Sequence, residues 1–318
     1  MLVLCIESGH ARGMGHLFRA MTLADALIAR GHEVLFLVND DDVSLAILRE
    51  RGHRTRVVEL SEERSDWETA IIRQTGARVW INDRLDTGAG HAGRIKAAGL
   101  PLVTFDDRGS GARLADLHVA ALAFEDTSEL GGRCVLHGVE ALVLNPEIAH
   151  HRRPRQQLGS LLVSLGGSDT WGATVTVVRL LAERGRGGTV VIGPSFGHHR
   201  ELEAVLTPAF TLKRGVPSLI EEMSRHDLAV TGGGITPFEA NAAGLPCIVV
   251  ANESFEIPVA RALERLGGAV FAGHHIAIDA AVFDRPLPIE AMSRRALAAV
   301  TLDGTRRVVE AIERLVPA

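Results

Sequence analysis

Short runs of leucine and β-branched residues alternate along the whole chain with stretches whose apolar side chains recur at helical spacing. The runs at residues 2–7, 33–38, 55–59, 79–82, 102–106 and 118–121 predict strands. A second series follows at 160–165, 188–192, 210–213, 228–231, 247–250 and 269–271. Helical patterns lie between them. In residues 17–30, for example, Leu17, Ala20, Met21, Ala24, Leu27 and Ile28 share one face and Gly31 follows as a C-cap. Strands and helices in strict alternation predict parallel sheets covered by helices on both faces, an α/β chain of two Rossmann-like domains. The pattern fails at residues 145–157, where Pro146, Pro154 and the run His150-His151-Arg152-Arg153 read as a linker. The expected domains are therefore 1–150 and 151–318. Each opens with a strand, a glycine-containing turn and a helix. Periodicity alone does not place the last two helices, 289–300 and 304–315, and the final one could return to the first domain.

The length of 318 residues suits two such domains of about 150 residues each. A net charge of −5 and a pI near 6.3 exclude a general nucleic-acid partner. No apolar run approaches the roughly 20 residues needed to cross a bilayer, and the first residues read as a buried strand rather than a signal peptide. Cys5, Cys134 and Cys247 are dispersed, which excludes a disulfide framework and a CxxC site and points to the cytoplasm. The histidine pairs at 150–151, 198–199 and 274–275 lack the partner spacing of a metal site, so neither a metal nor a cofactor is expected.

Three glycine-rich turns carry the candidate chemistry. The first, Gly13-Met14-Gly15-His16-Leu17-Phe18-Arg19, has Phe18 where a dinucleotide fingerprint needs a small residue. His16 opens the following helix, where its near-neutral pKa suits acid–base work; a plain helix-capping histidine is the alternative. Arg19, one turn on, could meet a phosphate or cap a surface. The second turn, Gly166-Gly167-Ser168-Asp169, follows a strand and suits phosphate or ribose contact, although Asp169 is also a credible N-cap. The third, Gly232-Gly233-Gly234-Ile235-Thr236-Pro237-Phe238-Glu239, is the strongest motif. Three consecutive glycines are costly in chain entropy, and the N–H groups beyond them suit a diphosphate. Glu239 is placed to accept ribose hydroxyls or to face the helix dipole. Asp106-Asp107, at a strand end, could orient His16 or a sugar hydroxyl.

In this order and spacing the turns resemble the UDP-sugar hydrolase of pseudaminic acid biosynthesis and the related spore-coat polysaccharide proteins. Also similar to that family are Phe105-Asp106-Asp107 with Ala115-Asp116-Leu117, Gly244-Leu245-Pro246, and Ala251-Asn252-Glu253. The resemblance covers most of the chain. It implies the GT-B fold shared with MurG-type glycosyltransferases, two Rossmann-like domains facing each other across a cleft. It further implies His16 as general base for water attacking the anomeric carbon, with Asp83 and Asp107 beside it and UDP leaving with inversion. Gly15, Arg19, Gly166, Gly167, Ser168, Asp169, Gly233, Gly234, Ile235, Thr236 and Glu239 would hold the nucleotide and its phosphates, and Asn252 and Glu253 the sugar. One departure is plain. The family's Asp-His-Tyr segment reads Asn82-Asp83-Arg84 here, and the chain contains no tyrosine.

The expected activity is hydrolysis of a UDP-linked amino or deoxy sugar, with transfer of the same glycosyl group to a sugar or lipid acceptor as the alternative. A nicotinamide oxidoreductase is disfavoured by Phe18 and by the two further glycine turns, although Asn39–Asp42 supplies acids at the end of the second strand. A sugar-nucleotide binder without turnover is a further alternative.

Overall fold

The computed structural model describes residues 1–9, 14–60, 66–123 and 130–317. The chain divides into two compact units. One holds the residues up to Leu144 and those from Asp303 onward, and the other holds Asn145–Leu302, with Met14 and Gly15 grouped with the second.

Among the described residues the first unit carries seven strands: β1 (Leu2–Ile6), β2 (Val34–Val38), β3 (Thr55–Val57), β4 (Val79–Asp83), β5 (Leu102–Phe105), β6 (Leu117–Ala120) and β7 (Val135–His137). Helices α1 (Gly15–Ala29), α2 (Asp42–Glu50), α3 (Trp67–Thr75) and α4 (Ala89–Ala97) connect the first five. The strands pair in parallel in the order β3-β2-β1-β4-β5-β6-β7. Strands β1, β2 and β4 are buried from end to end, which is why β1 and β2 read as unbroken apolar runs and β4 as one up to Ile81, before Asn82 and Asp83. The predicted strands are present with small shifts at their ends. The exception is β7, which has no counterpart in the sequence pattern: three partly exposed residues are too short a run to announce a strand.

The second unit repeats the plan. Helix α5 (Ile148–His151) precedes β8 (Leu161–Ser164), followed by α6 (Ala173–Glu183), β9 (Gly188–Ile192), α7 (His199–Val205), β10 (Phe210–Arg214), α8 (Leu219–Ser224), β11 (Leu228–Gly232), α9 (Thr236–Ala242), β12 (Cys247–Ala251), α10 (Glu256–Leu266), β13 (Ala269–His274) and α11 (Ile289–Ala299). Its six strands run parallel in the order β10-β9-β8-β11-β12-β13. In both sheets the order reverses beside the first strand, between β1 and β4 and between β8 and β11. An open α/β sheet offers a crevice at the carboxyl ends of the strands at such a point.

The last helix, α12 (Gly304–Glu313), belongs to the first unit. Leu144 and Thr305 exchange hydrogen bonds of 3.1 and 3.2 Å, and Glu313 accepts from Arg30 at 2.7 Å.

The stretch expected to be a linker is not a loose spacer. Ile148 is buried, Arg152 donates to the carbonyls of Ala242, Val300 and Leu297, and Arg155 is fully enclosed. Among the described residues the Arg155 guanidinium hydrogen-bonds to main-chain carbonyls and to no carboxylate. It donates to the carbonyls of Arg153 at 2.7 Å, His226 at 3.2 Å and Met223 at 3.3 Å, and to that of Ala243. Burial, and next to it the charge of Arg153, push Arg155 down to about 10. Its role is to satisfy main-chain acceptors where β8 enters the unit. Arg155→Leu is therefore expected to destabilise the protein by about 3–5 kcal/mol, since several buried carbonyls lose their donor. Thermal melting checks this: a midpoint lowered by of the order of 10 °C is expected, with Arg155→Lys recovering only part of the loss.

Candidate functional site

The β1/β4 switch point holds a buried ionic cluster. His16 lies in the first turn of α1 and Asp83 is the last residue of β4, paired in register with Ile6 at the end of β1. His16 Nδ1 lies 2.6 Å from Asp83 Oδ1. Arg19, one helical turn along, donates Nε to Asp83 Oδ2 at 2.8 Å and Nη2 to Oδ1 at 2.5 Å, and its Nη1 pairs with Asp106. Asp106 has a positive φ of 43°, a conformation that aspartate tolerates better than most side chains, and it also accepts from the Leu122 N–H at 2.9 Å. Burial by itself would raise the Asp83 carboxyl. The Arg19 charge and then His16 outweigh it and hold the group down to about 2. Burial likewise works against the Arg19 charge, but Asp83 and Asp106 more than offset it and raise the guanidinium.

The tautomer follows from these charges. A carboxylate only accepts, so the His16 nitrogen facing Asp83 must carry the proton. In neutral His16 the other nitrogen, Nε2, is then the bare acceptor. This is the arrangement of a histidine general base held by an acid.

The remaining residues expected at this end are placed differently. Asp107 does not orient His16. It accepts from the N–H groups of Thr87 at 3.0 Å and Gly109 at 2.8 Å and from the Thr87 hydroxyl, so both its oxygens fasten the loop after β4. Arg19 is not free for a phosphate, because its guanidinium is chelated by two carboxylates. Gly15 is exposed, and Gly13 lies outside the described residues. Asn82, the residue before Asp83, faces the core: it accepts from Trp80 Nε1 at 2.8 Å, lies 3.3 Å from His91 and donates to Thr87 at 3.1 Å. His91 in turn contacts the fully buried Glu68 at 2.7 Å, and Arg94 donates twice to that carboxylate at 2.8 Å.

The β8/β11 switch point brings the other two glycine turns together. Gly166 has a φ of 111°, which explains its glycine. The triple glycine has a different cause. None of its members has positive φ; instead a Cβ on Gly232 would come within 3.0 Å of the Leu165 carbonyl, and one on Gly233 within 2.6 Å of Glu256. Close approach of neighbouring segments thus accounts for Gly232 and Gly233, whereas a Cβ at Gly234 would meet nothing nearer than Glu256 at 3.8 Å. Ile235 caps α9 and Thr236 opens it, with Pro237 next. Glu239 sits on the first turn, where burial pushes its carboxyl up to about 7.

Two expected contacts are already used within the unit. Asp169, at a φ of 41°, accepts from the N–H groups of Ala173 at 2.9 Å and Thr174 at 2.8 Å. It fills the start of α6 with its own negative charge and is a cap rather than a phosphate ligand. Ser168 is buried, with its hydroxyl 3.3 Å from that of Thr170. Glu253 accepts the Trp171 indole N–H at 2.9 Å. Asn252 donates Nδ2 to the Leu165 carbonyl at 3.4 Å, and its Oδ1 is buried without a hydrogen-bond partner. Glu256, missed in the sequence, positions this loop: its carboxylate accepts from the N–H of Asn252 at 2.6 Å and of Glu253 at 3.3 Å. An acid three residues after Glu253 at a helix start was the available signal. A cavity of about 550 Å³, lined by residues including Ser160, Thr189 and Leu228, lies at the opposite, amino ends of this sheet.

Among the described residues no group of three or more His, Cys, Asp or Glu side chains is disposed to hold a metal ion, and no helix is long and apolar enough to cross a membrane.

No protein-family model matches the chain. It is 26% identical over 275 residues to the uncharacterized protein MJ1062 of Methanocaldococcus jannaschii, a match covering 79% of this chain and 55% of that protein. The chain thus spans about half the length of this relative. It is 23% identical over 281 residues to the spore coat polysaccharide biosynthesis protein SpsG of Bacillus subtilis, covering 84% and 82% of the two chains. Among solved structures, MurG of Acinetobacter baumannii superposes with a TM-score of 0.67 at 14% identity over 98% of this chain and 99% of its own. The glycosyltransferase VinC in complex with dTDP gives 0.59 at 18% identity over 98% and 100%. Two parallel-sheet Rossmann-like units in this likeness give the chain the GT-B fold.

Proposed function

We propose that the protein is a glycosyltransferase that moves a sugar from a nucleoside diphosphate to an acceptor hydroxyl. The observation that carries this reading is the His16–Asp83 pair, a base with its tautomer fixed, standing at the switch point of one sheet while glycine turns occupy the same position in the other. His16 Nε2 takes the acceptor proton as the acceptor oxygen bonds to the anomeric carbon. The bond from that carbon to the diphosphate breaks, and the electron pair leaves with the nucleotide. A single displacement of this kind inverts the anomeric centre. The N–H groups beyond Gly233 and Gly234, together with the Thr236 hydroxyl, would meet the departing charge, and Glu239 the ribose hydroxyls. SpsG, named for polysaccharide biosynthesis, and the dTDP complex of VinC support a nucleotide-sugar substrate.

Water as the acceptor is the second reading, and the depth of the base favours it. The His16 side chain is only 12% exposed, so a small acceptor reaches it most easily.

Incubation of the protein with UDP-N-acetylglucosamine and dTDP-glucose, in water enriched in oxygen-18, separates the readings. Release of nucleoside diphosphate only after a sugar or lipid acceptor is added supports transfer. Labelled free sugar in step with nucleotide release supports hydrolysis. Nucleotide binding with no release under either condition would leave a binding protein and end both enzyme readings.

A further inference from the structure

Trp171 lies on the turn between Asp169 and α6 and is 53% exposed, although it is the largest apolar side chain of that segment. Its position is rigidly braced. The Thr170 carbonyl lies 3.1 Å from His198 Nε2, and Asp169 holds the start of α6 from the preceding side. The indole lies nearly parallel to the His275 ring, with centroids 5.1 Å apart and 10° between planes, and His274 packs against His275 at 4.3 Å. The indole N–H is held by Glu253. An aromatic ring fixed on one side and open to solvent elsewhere is thus bordered by the Glu253 carboxylate, and the preceding residue, Asn252, has a buried Oδ1 without a hydrogen-bond partner.

From this juxtaposition we infer that the Trp171–His275 stack is the platform for the glycosyl group of the nucleotide-sugar, a specificity-determining surface within the second unit. The inference rests on the nucleotide-sugar reading above. A pyranose ring presents C–H groups on a face and hydroxyls around its rim. Its C–H face suits the electron-rich face of an indole, and its rim suits a carboxylate and an amide oxygen. A nucleobase would also stack on an indole, but it offers no rim of hydroxyls to the acid and amide beside this one. Burial, and next to it His274, lower the His275 pKa, which keeps the supporting ring neutral.

The two other tryptophans pack against each other in the first unit, with centroids 5.8 Å apart, so Trp171 supplies a separable emission signal. The experiment uses the full chain carrying His16→Ala, so that the donor survives, and titrates UDP, UDP-N-acetylglucosamine, dTDP and dTDP-glucose. The sugar nucleotides are expected to change tryptophan emission beyond the change given by the bare diphosphates, and Trp171→Phe to remove that difference. By calorimetry, Trp171→Ala is expected to weaken the sugar nucleotide that binds by about tenfold, and its bare diphosphate by less than about twofold. If the bare diphosphate alone gives the full emission change, the platform takes the base and the proposal falls. It falls equally if Trp171→Ala leaves sugar-nucleotide affinity unchanged, while the nucleotide-sugar reading stands. Should no nucleotide bind even the parent chain, that reading is lost and this one with it.

Discussion

Replacing His16 with alanine is expected to lower nucleoside diphosphate release by about 10²–10⁴-fold, the usual worth of a positioned general base. Nucleotide affinity and melting temperature should hardly move. Among the described residues the side chain makes one hydrogen bond, to Asp83, and that carboxylate keeps the two donors of Arg19 when the imidazole is gone. Because the loss would fall on the chemical step, it should appear in kcat, with KM little changed. His16→Gln tests the assignment further, since a glutamine side chain can hydrogen-bond to Asp83 but cannot take up the acceptor proton. A variant retaining more than about a tenth of wild-type turnover would remove His16 from the role of base.

His16 was readable as a candidate because it directly follows a glycine turn at the head of an amphipathic helix, but a helix-capping histidine reads the same until Asp83 is brought to it. Its partner was only half readable. Asp83 and Asp107 were both acids near strand ends, and nothing local separates them. The difference arises from pairing across the sheet: Asp83 lies beside Ile6 at the end of β1, from which the chain leads to His16, whereas Asp107 sits beyond β5, one strand farther out, and turns back onto Thr87. Sheet order is a long-range property, and it also explains Arg19. An arginine one turn after a glycine-rich loop suggests a phosphate ligand until the fold brings two carboxylates to it.

The same logic applies to the second unit. Asp169 precedes its helix and Glu239 lies within the first turn of its own, and the first is spent on the amides of α6 while burial raises the second to about 7. The strands themselves were legible because fully buried parallel strands are written as continuous apolar runs. The stretch read as a linker begins where the two units divide, but nothing local in it signals that Arg155 serves main-chain carbonyls, because several of those acceptors are distant along the chain.

Asp83→Asn is the more disruptive change, because one carboxylate serves two partners. The amide can present its oxygen or its nitrogen to His16. With the nitrogen it donates to Nδ1, which moves the histidine proton to Nε2 and removes the basic site. A loss of turnover of about 10⁴-fold is expected, as found when the acid of a serine-protease triad is replaced in the same way. The second partner makes the variant less stable as well. Arg19 is buried and would retain a full charge on Asp106 only, and breaking one side of a buried ionic cluster costs about 3–5 kcal/mol. His16→Ala leaves that cluster intact, so the two variants should match in activity loss far more closely than in melting temperature. The dependence on pH gives an independent check. The folded Asp83 carboxyl, held down to about 2, lies below the ordinary aspartate value of about 3.9. The group therefore contributes stability that is complete above the unfolded value and is lost as pH falls toward the folded one. Melting temperatures measured between about pH 5 and pH 2 should fall more steeply for the wild type than for Asp83→Asn. Parallel curves would mean that Asp83 is not the ionised centre of the cluster.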